Sequence, residues 1–313
     1  MEPRKVIKFG NSSYVVTLPY EWVLKNKLEK GSTVNIIEND SCLLVSLNKD
    51  KKENIIELSI DNKPLKLFNR ELISCYLKNF EYIKIVGKDI MERLEEIRVL
   101  NEKLSSIEIV EINPDFILLK DLTNPSDLDV KSTVFKIIEM EKVLFDELIK
   151  EDKKKSYFLI TTLDKNINKL TFLSYKALNY NLSALYNVKQ AKNSIHYWRI
   201  VSAFESIGDI IKRISRYLKN ETNEHNHYIT DALVEVKEFF QFVTNLLNEG
   251  VKLENNLKLH LDKKQSLLRE LEGLRGKLQD DLNLYLVITQ LFKDIIGQLE
   301  EVVLSVIDLN QHN

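Results

Sequence analysis

The sequence predicts a multidomain α+β chain, with a small β-rich module in front, a small α/β module in the middle and an all-α bundle behind. Three observations carry this expectation. All five prolines (Pro3, Pro19, Pro64, Pro114 and Pro125) lie in the first 125 residues, and a helix interior tolerates no residue less well. A charged run, Lys49-Asp50-Lys51-Lys52-Glu53-Asn54, reads as a linker between segments of different pattern. From Ser126 onward the apolar residues recur at three- and four-residue steps, which is the helical period. The expected boundaries are 1–50, 51–125 and 126–313.

The front module reads as short strands around one helical turn. Val6-Ile7-Lys8-Phe9 leads into the turn cluster Gly10-Asn11-Ser12-Ser13, and Tyr14-Val15-Val16-Thr17-Leu18 is β-branched and strand-like. Pro19 opens a helical turn through Glu21-Trp22-Val23-Leu24, which Gly31 is expected to end. Val34-Asn35-Ile36-Ile37-Glu38 and Cys42-Leu43-Leu44-Val45 form a hairpin across Asn39-Asp40-Ser41. A module this small has little core of its own, so a partner chain is expected. Residues 1–47 hold six basic and five acidic side chains, a thin electrostatic footprint for nucleic acid.

The middle module alternates strand and helix. Strands are expected at 55–60, 82–86, 107–112 and 116–120, and helices at 65–78 and 89–104. It holds no glycine-rich phosphate loop, so a nucleotide site is not supported there.

Behind it six helices are expected, near 127–150, 156–189, 194–219, 229–249, 252–276 and 280–309, with Ser126 as the first N-cap. In the first, Val130, Val134, Ile137, Glu141, Leu144 and Leu148 follow one another at three- and four-residue steps. Short loops favour antiparallel neighbours. The six read as three plus three. Leu163-Asp164-Lys165 returns as Leu261-Asp262-Lys263, and Asp209-Ile210-Ile211 returns as Asp294-Ile295-Ile296. Echoes in the same order argue for a duplicated unit.

One segment points to chemistry, Phe204-Glu205-Ser206-Ile207-Gly208-Asp209. Glu205 and Asp209 are four apart, so both carboxylates share a helix face, where like charges repel unless a cation intervenes. Gly208 in mid-helix costs about 1 kcal/mol relative to Ala and suggests the close approach of another helix. The alternative is a solvated face, with the acids paired to Lys212, Arg213 and Arg216. Oxygen ligands without histidine would suit a divalent or iron-type metal ion better than zinc.

Other chemistry is not supported. His196, His225, His227, His260 and His312 form no zinc motif, and there is no nucleophile elbow or Cys/His pair, so an enzyme is not expected. Cys42 and Cys75 carry no metal spacing and fit a reducing compartment. With 44% hydrophobic and 29% charged residues, wholesale disorder is excluded. No apolar run nears the roughly 20 residues of a membrane span, and the first residues lack an apolar signal core. A cytoplasmic protein without stable membrane insertion is expected.

Two resemblances sharpen this reading. Lys5-Val6-Ile7-Lys8-Phe9-Gly10-Asn11-Ser12-Ser13, then Thr17-Leu18-Pro19-Tyr20-Glu21-Trp22, then Leu28-Glu29-Lys30-Gly31-Ser32-Thr33-Val34 resembles the AbrB/SpoVT/MazE-type swapped-hairpin module. That resemblance implies an intertwined homodimer that binds DNA through its first strand and loop. Arg4, Lys5 and Lys8 are carried over as DNA contacts, with Asn11 as a candidate polar contact. The helical half looks like PhoU, a phosphate-uptake regulator built from two three-helix bundles. Glu205-Ser206-Ile207-Gly208-Asp209 is similar to its Glu-Arg-Ile-Gly-Asp signature, with Ser206 in place of Arg. PhoU proteins are linked to metal clusters at Glu/Asp-x-x-x-Asp motifs. By that resemblance Glu205, Asp209, Asp164, Asp262 and Asp294 are candidate ligands, although Asp164/Asn168, Asp262/Ser266 and Gln290/Asp294 each lack one carboxylate.

An AbrB-like head on a PhoU-like body resembles archaeal phosphate-uptake regulators. The implied function is a DNA-binding transcriptional regulator of phosphate uptake, whose body senses phosphate status through metal or a phosphate transporter component. Two rivals stay open. One is an adaptor that does not bind DNA, uses the head only to dimerise and restrains a phosphate ABC transporter. The other is an antitoxin-like partner.

Overall fold

A computed structural model describes residues 3–39, 42–47, 54–88, 90–183, 188–219, 226–249, 253–277 and 282–311. By contacts the chain divides into two compact units, Met1–Lys52 and Glu53–Asn313. The charged run at 49–54 lies outside the described residues, apart from Asn54.

In the first unit, β1 (Ile7–Phe9) and β2 (Ser13–Val15) pair antiparallel, with Lys8 opposite Tyr14. Gly10 turns the chain at φ +70°, a conformation an L side chain resists. Helix α1 (Tyr20–Lys25) begins after Pro19. It ends earlier than expected: Asn26 caps it, Lys27 adopts φ +53°, and Gly31 at φ +93° serves the later turn into β3. Strands β3 (Val34–Asn39) and β4 (Cys42–Leu47) pair from Val34↔Leu47 to Asn39↔Cys42. Of the turn expected at Asn39-Asp40-Ser41, Asn39 is the last residue of β3, and Asp40 and Ser41 lie outside the described residues.

The second unit opens with a four-stranded sheet. Its strands are β5 (Ile55–Ser59), β6 (Tyr82–Val86), β7 (Ile107–Ile112) and β8 (Phe116–Asp121), in the order β5-β6-β8-β7. Helix α2 (Leu65–Leu77) connects β5 to its parallel neighbour β6, and the other pairings are antiparallel. Alternation along the strands buries Leu58, Ile83, Ile85, Ile117 and Leu119 on one face, against Phe68, Leu72 and Tyr76 of α2. Helix α3 is shorter than expected, at Leu94–Asn101. The chain before it turns, and the Arg93 guanidinium donates to the Ile60 carbonyl at 3.1 Å.

Six long helices follow: α4 (Val130–Ile149), α5 (Lys153–Ser183), α6 (Val188–Leu218), α7 (Asn226–Glu249), α8 (Leu253–Lys277) and α9 (Leu282–Gln311). The N-cap of α4 is Asp129, which accepts from the Lys131 N–H at 3.0 Å. Ser126 is not the cap: it sits in a 3₁₀ turn, where its own N–H is taken by the Asn124 side chain.

The helices form two triplets, α4-α5-α6 and α7-α8-α9, each mutually packed. The triplets meet like on like, α4 against α7 and α6 against α9. One apolar core runs through both, with Phe145, Phe204, Phe240 and Phe292 fully buried. Among the described residues no helix is long and apolar enough to cross a membrane.

Helix α5 also closes the α/β module. Phe172 packs against that module's core, and the Asn179 side-chain amide donates to the Leu77 carbonyl at 3.1 Å. Beneath them the Lys176 ammonium, fully buried, pairs with Asp121 and lies 4.9 Å from the centre of the Tyr76 ring. A buried ammonium needs such partners, because desolvation of an unpaired ion costs several kcal/mol.

Candidate functional site

In the first unit Arg4, Lys5, Lys8 and Asn11 are all exposed, on β1, its approach and the turn after it. No side chain whose burial is described between residues 3 and 47 is buried. The apolar side chains on these elements lie open: Phe9 is 71% exposed and Tyr20 72%, and Ile7, Tyr14, Leu24, Ile36 and Leu43 are exposed with them. So many uncovered apolar groups on so short a segment mark an interaction surface.

The second unit gathers carboxylates inside the first triplet. Glu205 is half-buried on α6, and Asp209, one turn on, is exposed. Asp164 of α5 is buried and faces them. The Lys212 ammonium stands 2.7 Å from Asp164 Oδ2 and 3.7 Å from Asp209 Oδ1. Asn168 donates weakly to the same Asp164 oxygen, at 3.5 Å.

Behind this rim is a residue that sequence reasoning placed only in the helical periodicity of α4. Glu141 of α4 is fully buried, and neither of its carboxyl oxygens has a hydrogen-bond partner. A Cβ at Gly208 would lie 3.9 Å from Glu141 Oε1 and 3.7 Å from Ile167 Cδ1. Gly208 therefore does mark the approach of neighbouring helices, but with room for a methyl group. The signal for Glu141 was in the sequence: an acid at a core register of an otherwise apolar stripe.

The electrostatics follow from burial. Desolvation pushes Glu141 well above the usual carboxylate range, and nearby Glu205 adds to the rise. Burial also raises Glu205, helped by the charges of Asp209 and Asp164 and opposed by Lys212. Burial raises Asp164, and Lys212 pulls it part of the way back. Burial works against the charge on Lys212, but Asp164 and Asp209 outweigh it and hold that ammonium above its ordinary value. The arrangement can hold a proton on Glu141 and a cation between Asp164 and Asp209, and here Lys212 is that cation.

The remaining predicted ligands lie in the second triplet. Asp262 of α8 is exposed, and Asp294 of α9 is half-buried and accepts from the Gln290 amide at 2.7 Å. Among the described residues no group of three or more His, Cys, Asp or Glu side chains could hold a metal ion. The donor set does not fit a metal as it stands, because the Lys212 ammonium already occupies the buried Asp164. His225 and His312 lie outside the described residues.

Residues 7–52 match the family model described as antidote-toxin recognition MazE, bacterial antitoxin. The match ends where the first structural unit ends. No curated protein matches the chain. Over residues 7–52 the chain is thus similar to bacterial antitoxins of the MazE type.

Proposed function

We propose that the chain is a cytoplasmic, DNA-binding transcriptional regulator of phosphate uptake, acting as a homodimer through its first unit. The observation that carries the reading is the uncovered apolar surface of residues 3–47 beside Arg4, Lys5 and Lys8. Pairing two copies would bury that surface and double the basic strip, and two-fold symmetry suits a palindromic DNA site. The match of residues 7–52 to an antitoxin family supports the same reading.

The helical body reads phosphate status in this proposal. Its support is the Glu205-to-Asp209 motif and the two stacked three-helix sets. The input is contact with a transporter component, or a divalent or iron-type metal that would have to displace Lys212 from Asp164. Elemental analysis of the wild type against Glu205→Ala/Asp209→Ala decides the metal branch, and equal metal content removes it.

The test of the main reading is a mobility shift on the gene's own promoter DNA across a salt series. Binding should weaken steeply with salt, because phosphate contacts release counterions. Arg4→Ala/Lys5→Ala should reduce both the affinity and the salt slope; unchanged binding would reject the strip. Absence of any shift favours the second reading, a dimeric adaptor that restrains a phosphate transporter, for which the thin net charge of residues 1–47 speaks.

A further inference from the structure

The cleft between α2 and α5 belongs to neither site above. Its volume is about 670 Å³, within the range of small-molecule sites, which favour the junctions between structural modules. Ile73 and Leu77 from α2 and Phe172 from α5 give it an apolar floor. Two cations line it, Arg70 within α2 and Lys78 at that helix's C-cap. Both are exposed, no acidic residue lines the cleft, and neither cation forms an ion pair among the described residues. The nearest acid on the helix, Glu71, is held by Lys63 at 2.5 Å. Asn79 follows the helix at φ +61° and lines the same cleft, and its buried Oδ1 has no donor.

These groups ask for two things of one ligand: an anionic group for Arg70 and Lys78, and a flat apolar part for the floor. A guanidinium grips phosphate through two parallel hydrogen bonds, and an ammonium adds a point charge beside it. We propose that this cleft binds a small phosphorylated molecule bearing an aromatic ring, a purine nucleoside monophosphate being a simple ligand that meets both demands. The site stands apart from the DNA-binding reading of the first unit and does not depend on it.

Titration calorimetry of the full chain with AMP and with GMP tests the proposal, with adenosine and orthophosphate as half-ligands. One site per chain is expected for at least one nucleotide, with each half-ligand weaker by at least about tenfold. Arg70→Ala/Lys78→Ala should weaken binding by a similar factor. Ser74→Glu, which sets a carboxylate midway between the two cations, should abolish it. All three positions are exposed, so the variants keep the fold, and Lys165→Ala on the far part of α5 should change nothing. No binding of either nucleotide at millimolar concentration, binding indifferent to these substitutions, or orthophosphate binding as tightly as the nucleotide would each overturn the proposal.

Discussion

Glu141→Met should make the protein more stable at neutral pH. The side chain is fully buried, and both carboxyl oxygens are without partners. A buried polar group left unsatisfied costs about 1–3 kcal/mol, and methionine fills a similar volume with flexible apolar atoms. The gain should therefore be about 1–3 kcal/mol, read as a rise of roughly 2–4 °C in Tm per kcal/mol for a domain of this class. The pH dependence fixes the cause. Burial, with Glu205 beside it, raises the folded-state value above the ordinary 4.5. Below 4.5 the acid is neutral in both the folded and unfolded states, and its protonation costs nothing. As the pH rises from 4.5 toward the raised folded value, the unfolded chain ionises first and stability is lost. The advantage of Glu141→Met over wild type should accordingly be largest at pH 7 and shrink toward pH 4. Glu141→Gln removes only the titration and should share that pH dependence with a smaller gain. Urea unfolding of the three proteins at pH 4, 5.5 and 7 measures all of this. Destabilisation of Glu141→Met by more than about 1 kcal/mol at pH 7 would refute the reasoning, since it would require a bound partner for the carboxylate.

Other outcomes can be stated as directly. His260 is buried against Phe239, ring centroids 5.3 Å apart, with neither ring nitrogen partnered. Burial holds its pKa below 6.5, opposed by Glu300 and assisted by Lys264. Below pH 6.5 the unfolded state gains a proton that the folded state resists, so stability falls, and His260→Phe should flatten the fall in urea midpoint between pH 7 and 5. Asp121→Ala strands the buried Lys176 ammonium and should cost about 3–5 kcal/mol by calorimetry, whereas adding Lys176→Met to it should recover most of the loss. Gly208→Ala places a methyl at ordinary contact distance from Ile167 and Glu141, so the helix should gain up to about 1 kcal/mol in thermal unfolding. A loss would mean the helices pack closer than the structure shows.

The architecture was legible because its signals are local. Proline placement separated the mixed front from the helical back, and apolar periodicity located the long helices. Register at the ends was less legible, because competing caps decide it: Asn124 takes the Ser126 N–H and hands the start of α4 to Asp129. Site reading divided in the same way. The pair Glu205 and Asp209 could be seen on one helix, since spacing alone puts them on one face. Asp164 and Lys212 meet across 48 positions, and no single-helix pattern records that contact. Asp262 and Asp294 stand at the echoing positions of the second triplet but in other surroundings, so the repeat predicted the helices and not the chemistry. Lys176 was invisible as a core residue, because its burial depends on Asp121, which lies on a different kind of element.

That divergence between the triplets locates where function can reside in the second unit. In α7-α8-α9 the echo of buried Asp164 is exposed Asp262, and His260 is buried with neither ring nitrogen partnered. In α4-α5-α6 a buried acid, a half-buried acid and a lysine meet. The helix that brings Asp164 to that meeting also brings Lys176 to Asp121. Twelve residues separate them, about 18 Å along the axis, and over that length α5 is one continuous helix. A rigid rod held at both ends by buried polar contacts resists small displacements, because each contact is costly to break and cannot be re-solvated in place. A change in charge at the Asp164 end therefore has a stiff route to the α/β module, whereas the second triplet packs on the first chiefly through α4 and α6.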